Sequence, residues 1–322
     1  MRRFLAAIAI PLLAGATIAG CSSSKSAAGS SSATADSAGN TNASVTATGA
    51  YGKAPTVIIP AAAASSQLAV RTLVDGTGAA ITTADAFVGN YVVYIWSGKT
   101  HKLAASTWTS TPQVFSGSLL PGLETGLMGK KVGSRVLVVI PPADGYGSAG
   151  DTSNGVTGTD TLVFVVDLVG AVAANASATG TQAASGAGLP TVTDTTGAAP
   201  TITIPAKTAA PTSLIKKTLI TGTGAKVTSG QYVVVQYTGV NWRTGKVFDS
   251  SWSRKTPLGF EIDQPEGMIV GFDLGLTGQT VGSRVLLVIP PADGYGKTGN
   301  SEGGIKGTDD IVFVVDILGA YN

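Results

Sequence analysis

The chain has 322 residues and carries 21 Lys and Arg against 19 Asp and Glu, with one His and one Cys. At roughly 100–200 residues per domain that length implies two domains, and a near-balance of charge offers no footprint for nucleic acid, whose binding rests on clustered Lys and Arg. A single Cys excludes an intrachain disulfide and a Cys-based zinc site, and a single His leaves little material for Ser-His-Asp or Cys-His catalysis; the chemistry expected here uses no metal, no cofactor and no conventional nucleophile.

Met1-Arg2-Arg3 is a charged start, and Phe4 to Ala16 is an apolar stretch interrupted by Pro11. That length and those flanks predict a secretory signal over residues 1–20 rather than a membrane-spanning helix. Ile18-Ala19-Gly20-Cys21 resembles the lipobox of bacterial lipoproteins, which implies cleavage before Cys21 and lipidation of its thiol. The two acyl chains so attached are what stable anchoring takes, at about 0.8 kcal/mol per buried methylene. The expected location is the extracytoplasmic face of the cell membrane. Residues 21–53, rich in Ser, Ala, Thr, Gly and Asn, read as a flexible tether. The same composition at 173–198 reads as a linker that leaves two domains free to move independently.

Those two domains, 54–172 and 199–322, are copies of one another. Val132–Gly147 and Val281–Gly296 agree at 15 of 16 positions at an offset of 149, and the offset persists from Leu162–Asp167 to Ile311–Asp316. Tyr91-Val92-Val93 matches Tyr232-Val233-Val234 at an offset of 141, so the copies are expected to differ by loop insertions. In the second copy, Gln231–Tyr237, Arg284–Ile289 and Asp310–Leu318 are β-branched runs bounded by turn residues, and they predict strands. Within the last run Ile311, Phe313, Val315 and Ile317 share one face, with Val312, Val314 and Asp316 on the other, as in a sheet half-covered by its core. The helical signal is short: Ile269, Phe272 and Leu276 fall on one face, as do Leu120, Leu123 and Leu127 in the first copy. Gly271 and Gly275 make that helix weak without tertiary packing. An antiparallel sheet on one short helix is an α+β domain.

Several runs of the second copy carry a family resemblance. They are Val234–Gly239, Gly245–Ser251, Met268–Phe272, Ile289–Pro291 leading into Gly294-Tyr295-Gly296, and Ile311–Val315. In order and spacing they resemble the FKBP-type (macrolide-binding) peptidyl-prolyl cis-trans isomerases over about Thr218 to Leu318. The resemblance implies a twisted antiparallel sheet wrapped round a short helix, with an aromatic proline pocket between them. It implies pocket walls at Tyr237, Phe248, Phe313, Met268 and Ile269, with Phe272 at the floor. It also implies an acidic pocket residue at Asp249, supported by Arg254, and a carbonyl-holding hydroxyl on Tyr295. Leu258 stands where the family often has an aromatic, and Ile305 fits an apolar loop position. Taken singly, the aromatics read more readily as core residues, Asp249 with Arg254 can be a surface ion pair, and Tyr295 a turn residue. As a set at family spacing they imply a pocket.

The first copy departs from this set. It retains Tyr146 and Phe164, but by sequence alignment Trp96 takes the place of Tyr237, Ala104-Ala105 that of Phe248-Asp249, and Leu123 that of Phe272. Ser110 falls near the place of Arg254. These losses are expected to open the pocket and abolish activity. His101 reads as an exposed loop residue. The implied function is a membrane-tethered prolyl isomerase acting on proline-containing exported polypeptides, with macrolides among its possible ligands. A tethered peptide-binding chaperone or scaffold is the alternative, and a purely structural tandem the third reading.

Overall fold

The computed structural model describes residues 40–117, 119–193, 196–263 and 268–322. The signal segment, Cys21 and the first part of the tether lie outside them. The described chain opens with a two-stranded hairpin, β1 (Thr46–Thr48) and β2 (Thr56–Ile58). The first sheet follows: β3 (Ala69–Val74), β4 (Asp85–Ser97), β5 (Thr100–Ser106), β6 (Gln113–Phe115), helix α1 (Pro121–Leu127), β7 (Arg135–Ile140) and β8 (Thr161–Ala173). A second hairpin, β9 (Thr191–Thr193) with β10 (Thr201–Thr203), leads into β11 (Ile215–Ile220), β12 (Tyr232–Asn241), β13 (Val247–Ser250) and α2 (Ser251–Arg254). The chain closes with β14 (Leu258–Glu261), α3 (Val270–Leu276), β15 (Arg284–Ile289) and β16 (Ile311–Tyr321). Each copy is a six-stranded antiparallel sheet, in order β3-β7-β8-β4-β5 and β11-β15-β16-β12-β13, with β6 and β14 added beside β4 and β12. The fold is the expected α+β arrangement, twice.

The helices sit on the inner face of each sheet. In the second copy Phe272 and Leu276 pack on Val285, Leu287, Ile289, Phe313 and Val315. Glycines cost a helix about 1 kcal/mol each, and here that cost allows close approach. A Cβ on Gly271 would lie 2.5 Å from Ile289 Cγ2, and one on Gly275 2.6 Å from Leu287 Cδ2.

The outer faces are covered as well, which corrects the expectation of a half-covered sheet. Val312 and Val314, with Leu286, Val288 and Trp242, pack against Val192, Ile202 and Ile204 of the β9–β10 segment. Val45, Ala47, Val57 and Ile59 cover the matching face of the first sheet, against Trp96, Leu137 and Val163. The last part of the supposed tether (40–53) and the supposed linker (173–198) are therefore largely structured straps. Small and β-branched residues with few charges suit a strap that must lie flat on a sheet. Each strap is also pinned by a buried ion pair between registered partners on neighbouring strands. Arg135 binds Asp167 through Nε at 2.6 Å and Nη2 at 2.8 Å, and reaches the carbonyls of Gly49 and Lys53 at 2.8 and 2.6 Å. Arg284 binds Asp316 at 2.7 and 2.8 Å, while the N–H of Ala178 donates to the same carboxylate at 3.1 Å.

The copies also touch, a contact not expected from the sequence. Val88, Val114 and Val172 meet Tyr232, Val234 and Tyr321 in a shared apolar cluster, and Gln236 Nε2 donates to the carbonyl of Ala174 at 2.8 Å.

Candidate functional site

Five aromatic rings assemble on the inner face of the second sheet. β12 presents Tyr237, β13 presents Phe248, β14 Phe260, α3 Phe272 and β16 Phe313. Their contacts are edge-to-face: Phe272 to Phe313 at 4.7 Å and 86°, Phe248 to Phe313 at 5.4 Å and 88°, and Tyr237 to Phe272 at 6.2 Å and 90°. That geometry sets the positive edge of one ring on the negative face of the next. Phe272, fully buried, closes the bottom. Phe248 is only partly buried, and Leu258, Met268, Ile269 and Tyr295 join it as partly buried side chains around the same cluster, with Ile305 buried among them. The structure thus brings together every apolar residue that the resemblance implied. Phe260, which packs on Phe272 at 5.8 Å, was missed; two residues past Leu258 on one strand, it shares that residue's face.

A polar network borders the rings. The Tyr237 hydroxyl donates to Asp249 Oδ2, Arg254 Nη1 donates to Asp249 Oδ1, and Arg254 Nη2 donates to the Tyr237 oxygen at 2.7 Å. The N–H of Ser250 donates to Asp249 Oδ1 at 2.8 Å. The side chains of Asp249 and Arg254 are 39% and 47% exposed, so the pair contributes little to stability. Its effect is to fix the Tyr237 ring. Burial, reinforced by the bond to Asp249, pushes the Tyr237 hydroxyl well above its ordinary range. Burial also raises Tyr295. Both remain proton donors at physiological pH. Backbone anchoring comes from Ser251, whose Oγ accepts from the N–H of Tyr237 at 2.8 Å and donates to Gln236; neither residue stood out in the sequence.

The first copy provides a comparison within one chain. Tyr91 pairs with Val166 and Tyr237 with Val315, and Val166 and Val315 are equivalents at the 149 offset. The offset in this strand is therefore 146, and Tyr91, not Trp96, is the counterpart of Tyr237. A five-residue slip is odd, so it exchanges the two faces of a strand. Trp96 points outward, and its indole N–H donates to Ala62 at 3.0 Å, as that of Trp242 donates to Thr208 at 3.3 Å. The replacement of Asp249 holds: Ala105 faces Val93 as Asp249 faces Gly239.

That last pair explains the difference between the sites. A Cβ on Gly239 would lie 2.7 Å from Phe313 Cε1 and 2.8 Å from Phe248 Cζ. Only glycine leaves room there for both rings. The first copy has Val93 at that position, buried in its core, with Ala104 where Phe248 would stand. Val93 thus puts side-chain atoms at the point where Gly239 leaves room for the rings of Phe248 and Phe313. Between the copies a groove of ≈ 390 Å³ is lined by Val172, Ser177, Gly222, Val281 and Leu318 among others, with no titratable side chain, so it offers no rival chemistry.

An aromatic cluster, a clamped tyrosine and a loop tyrosine, gathered on the inner face of a twisted antiparallel sheet, define the class of site. Comparison with known proteins gives that class its family. The family model described as FKBP-type peptidyl-prolyl cis-trans isomerase matches residues 82–169 and 223–318, and the chain belongs to this family, with one member domain in each copy. An FK506-binding protein of Streptomyces anulatus is 39% identical over 108 residues, 34% of this chain and 86% of that protein. The peptidyl-prolyl cis-trans isomerase FKBP9 of Rattus norvegicus is 30% identical over 206 residues, 64% of this chain and 29% of that protein. Among solved structures, FkpA from Escherichia coli matches at 35% identity over 34% of this chain and 48% of that one, with a TM-score of 0.31.

Proposed function

We propose that the second copy carries out the isomerisation, in the pocket bounded by Tyr237, Phe248, Asp249, Phe272, Tyr295 and Phe313. The observation that supports this most is the joint presence of Gly239, Phe248 and Asp249 in one copy and Val93, Ala104 and Ala105 in the other. An X-Pro bond crosses a barrier of ~18–20 kcal/mol set by amide resonance. The twisted transition state has lost that resonance and carries less charge separation than the planar amide. A dry aromatic pocket disfavours the planar, polar form more than the twisted one, and that difference is catalysis. In this reading the proline ring enters beside the partly buried Phe248, Met268 and Ile269, with Phe272 beneath them; Tyr295 donates to the substrate carbonyl, and Asp249 with Arg254 holds the Tyr237 ring as a wall. A rate gain of ~10³–10⁵ needs about 4–7 kcal/mol, with no covalent step.

The first copy then serves as a non-catalytic support. The finer setting follows from residues outside the described part: a lipid on Cys21 tethers the chain at the extracytoplasmic face, where exported polypeptides refold past slow prolines. Relatives named for FK506 binding support a macrolide as a competing occupant of the same pocket. The test is prolyl isomerisation of an X-Pro peptide by the full chain beside Phe248→Ala and Asp249→Ala. A fall in kcat/KM of at least about tenfold for Phe248→Ala is expected. Full activity in that variant would move the reaction out of this pocket, and no activity in the folded wild type would favour the chaperone reading. For the tether, Cys21→Ser should shift the protein from the membrane to the soluble fraction; membrane retention would refute it.

A further inference from the structure

The loop that completes the second pocket runs between β15 and β16 and bears both Tyr295 and Ile305. Its return limb is fastened at one carboxylate. The side chain of Asp309 is 1% exposed. Its Oδ2 accepts from the N–H of Lys306 at 2.9 Å, from Asn241 Nδ2 at 2.8 Å and from Arg243 Nη2 at 2.8 Å, and its Oδ1 accepts from Arg243 Nε at 2.7 Å. Lys306 directly follows Ile305, so the clamp acts one residue from a pocket wall. Asn241 and Arg243 stand at the turn joining β12 to β13, the strands that present Tyr237, Phe248 and Asp249. The Arg243 guanidinium, helped by Lys306 and Asn241, holds the Asp309 carboxyl far below the usual carboxylate range.

The first copy keeps the aspartate and lacks the arginine. Asp160 occupies the place of Asp309, accepting from the N–H of Thr157 at 2.7 Å and from Ser97 Oγ at 2.5 Å. At the 146 offset Ser97 is the counterpart of Arg243. In the first copy hydroxyls and the nearby charge of Lys102 act on the carboxylate at the loop base, and the bidentate, charge-assisted grip of an arginine on this aspartate is present only where Phe248 and Asp249 are present too. Such paired bonds are stronger and more directional than a single neutral one.

We infer that Arg243 is a positioning residue for the isomerase: acting through Asp309, it keeps the loop that bears Tyr295 and Ile305 in its binding-competent form. This rests on the reading of the second pocket as the reaction site. Loosening the loop lowers the fraction of molecules ready to bind. Apparent affinity falls by that fraction, while the bound complex turns over as before.

The experiment takes the full chain as wild type, Arg243→Ala, Arg243→Lys and Phe248→Ala. It separates kcat from KM by exchange NMR on an X-Pro peptide and follows amide exchange at Asn300 and Ile305, whose backbones bond each other at 2.8 Å in both directions. For Arg243→Ala, KM should rise about tenfold with kcat unchanged, as for a loop competent in about one molecule in ten. Amide exchange at Asn300 and Ile305 should quicken while that of β12 and β16 does not. Arg243→Lys should fall between, since an ammonium reaches the carboxylate as a single point charge; it carries the test if the alanine variant does not fold. A KM within about twofold of wild type would overturn the inference, as would a loss of kcat alone or a lower melting temperature with KM unchanged. Full activity of Phe248→Ala would instead sink the pocket reading, so the two failures are distinguishable.

Discussion

Gly239→Val places in the second copy the residue that the first copy already has. Carbon atoms rest about 3.5–4.0 Å apart, whereas the new Cβ would lie 2.7 Å from Phe313 Cε1 and 2.8 Å from Phe248 Cζ. The rings must retreat by about 0.7–1.3 Å, and valine adds two methyls beyond its Cβ. Phe313 is buried on the second central strand and has nowhere to go. Phe248, partly exposed on the edge strand, is the ring that moves. Overpacking of this kind costs ~1–3 kcal/mol, too little to unfold a domain of ordinary stability but enough to dismantle a pocket wall. The variant should melt cooperatively, at lower denaturant, with kcat/KM reduced at least about tenfold. Adding Phe248→Ala removes the clash partner and recreates the Val93–Ala104 pairing. The double variant should then be more stable than the two single changes sum to, by at least ~0.5 kcal/mol, and remain inactive. Denaturant melts and peptide isomerisation on the four proteins close the cycle. Wild-type activity in Gly239→Val, or additivity within ~0.3 kcal/mol, would show that the glycine has nothing to do with the rings.

Two further outcomes follow from buried groups. Arg284→Met strands Asp316, 2% exposed, without its guanidinium; a broken buried pair costs ~3–5 kcal/mol, which lowers the melting temperature by about 10 °C in a domain of this size and frees the strap over 178–182 to protease. Adding Asp316→Leu should recover most of that loss, and a melting temperature unchanged in Arg284→Met would refute the pinning. Because burial raises the hydroxyls of Tyr237 and Tyr295 above the ordinary 10.0, their donor form persists into more alkaline solution than free tyrosine allows. The pH profile of kcat/KM should therefore show no alkaline fall until above pH 10, and a descending limb near pH 8 would contradict both assignments.

The strands and the short helix were legible because their residues repeat at the right period and, in β15 and β16, repeat twice over. Phe272 and Phe313 could be placed for the same reason. The straps were not legible. Composition flags Ala, Gly, Ser and Thr as unable to build a core, which is true of residues 40–65 in isolation, but a strap borrows its core from the sheet it covers. The sign was present in Val312 and Val314, apolar on a face expected to be wet. Gly239 lies in a motif that gives it no role, since only the two ring positions reveal what a side chain would strike there.

The misplaced Trp96 shows how register carries chemistry. Tyr-Val-Val recurs in both copies, but β4 and β12 are runs of similar apolar residues along which such a triplet can match at several offsets. Side-chain direction resolves the choice: only the 146 offset sends Tyr91 and Tyr237 inward together while Trp96 and Trp242 both reach the strap carbonyls of Ala62 and Thr208. With that register fixed, the first copy retains the buried tyrosine, the loop tyrosine Tyr146 and Phe164, and it differs at a few adjoining points, Val93, Ala104, Ala105 and Leu123. Three of those, Val93, Ala104 and Ala105, meet where β4 pairs with β5. The difference between the copies is thus centred on one strand pair, with the sheet, the helix and the pinned strap left in place. Under the proposed function such a domain supports its neighbour through Val88, Val114 and Val172, and the binding role falls to the second copy.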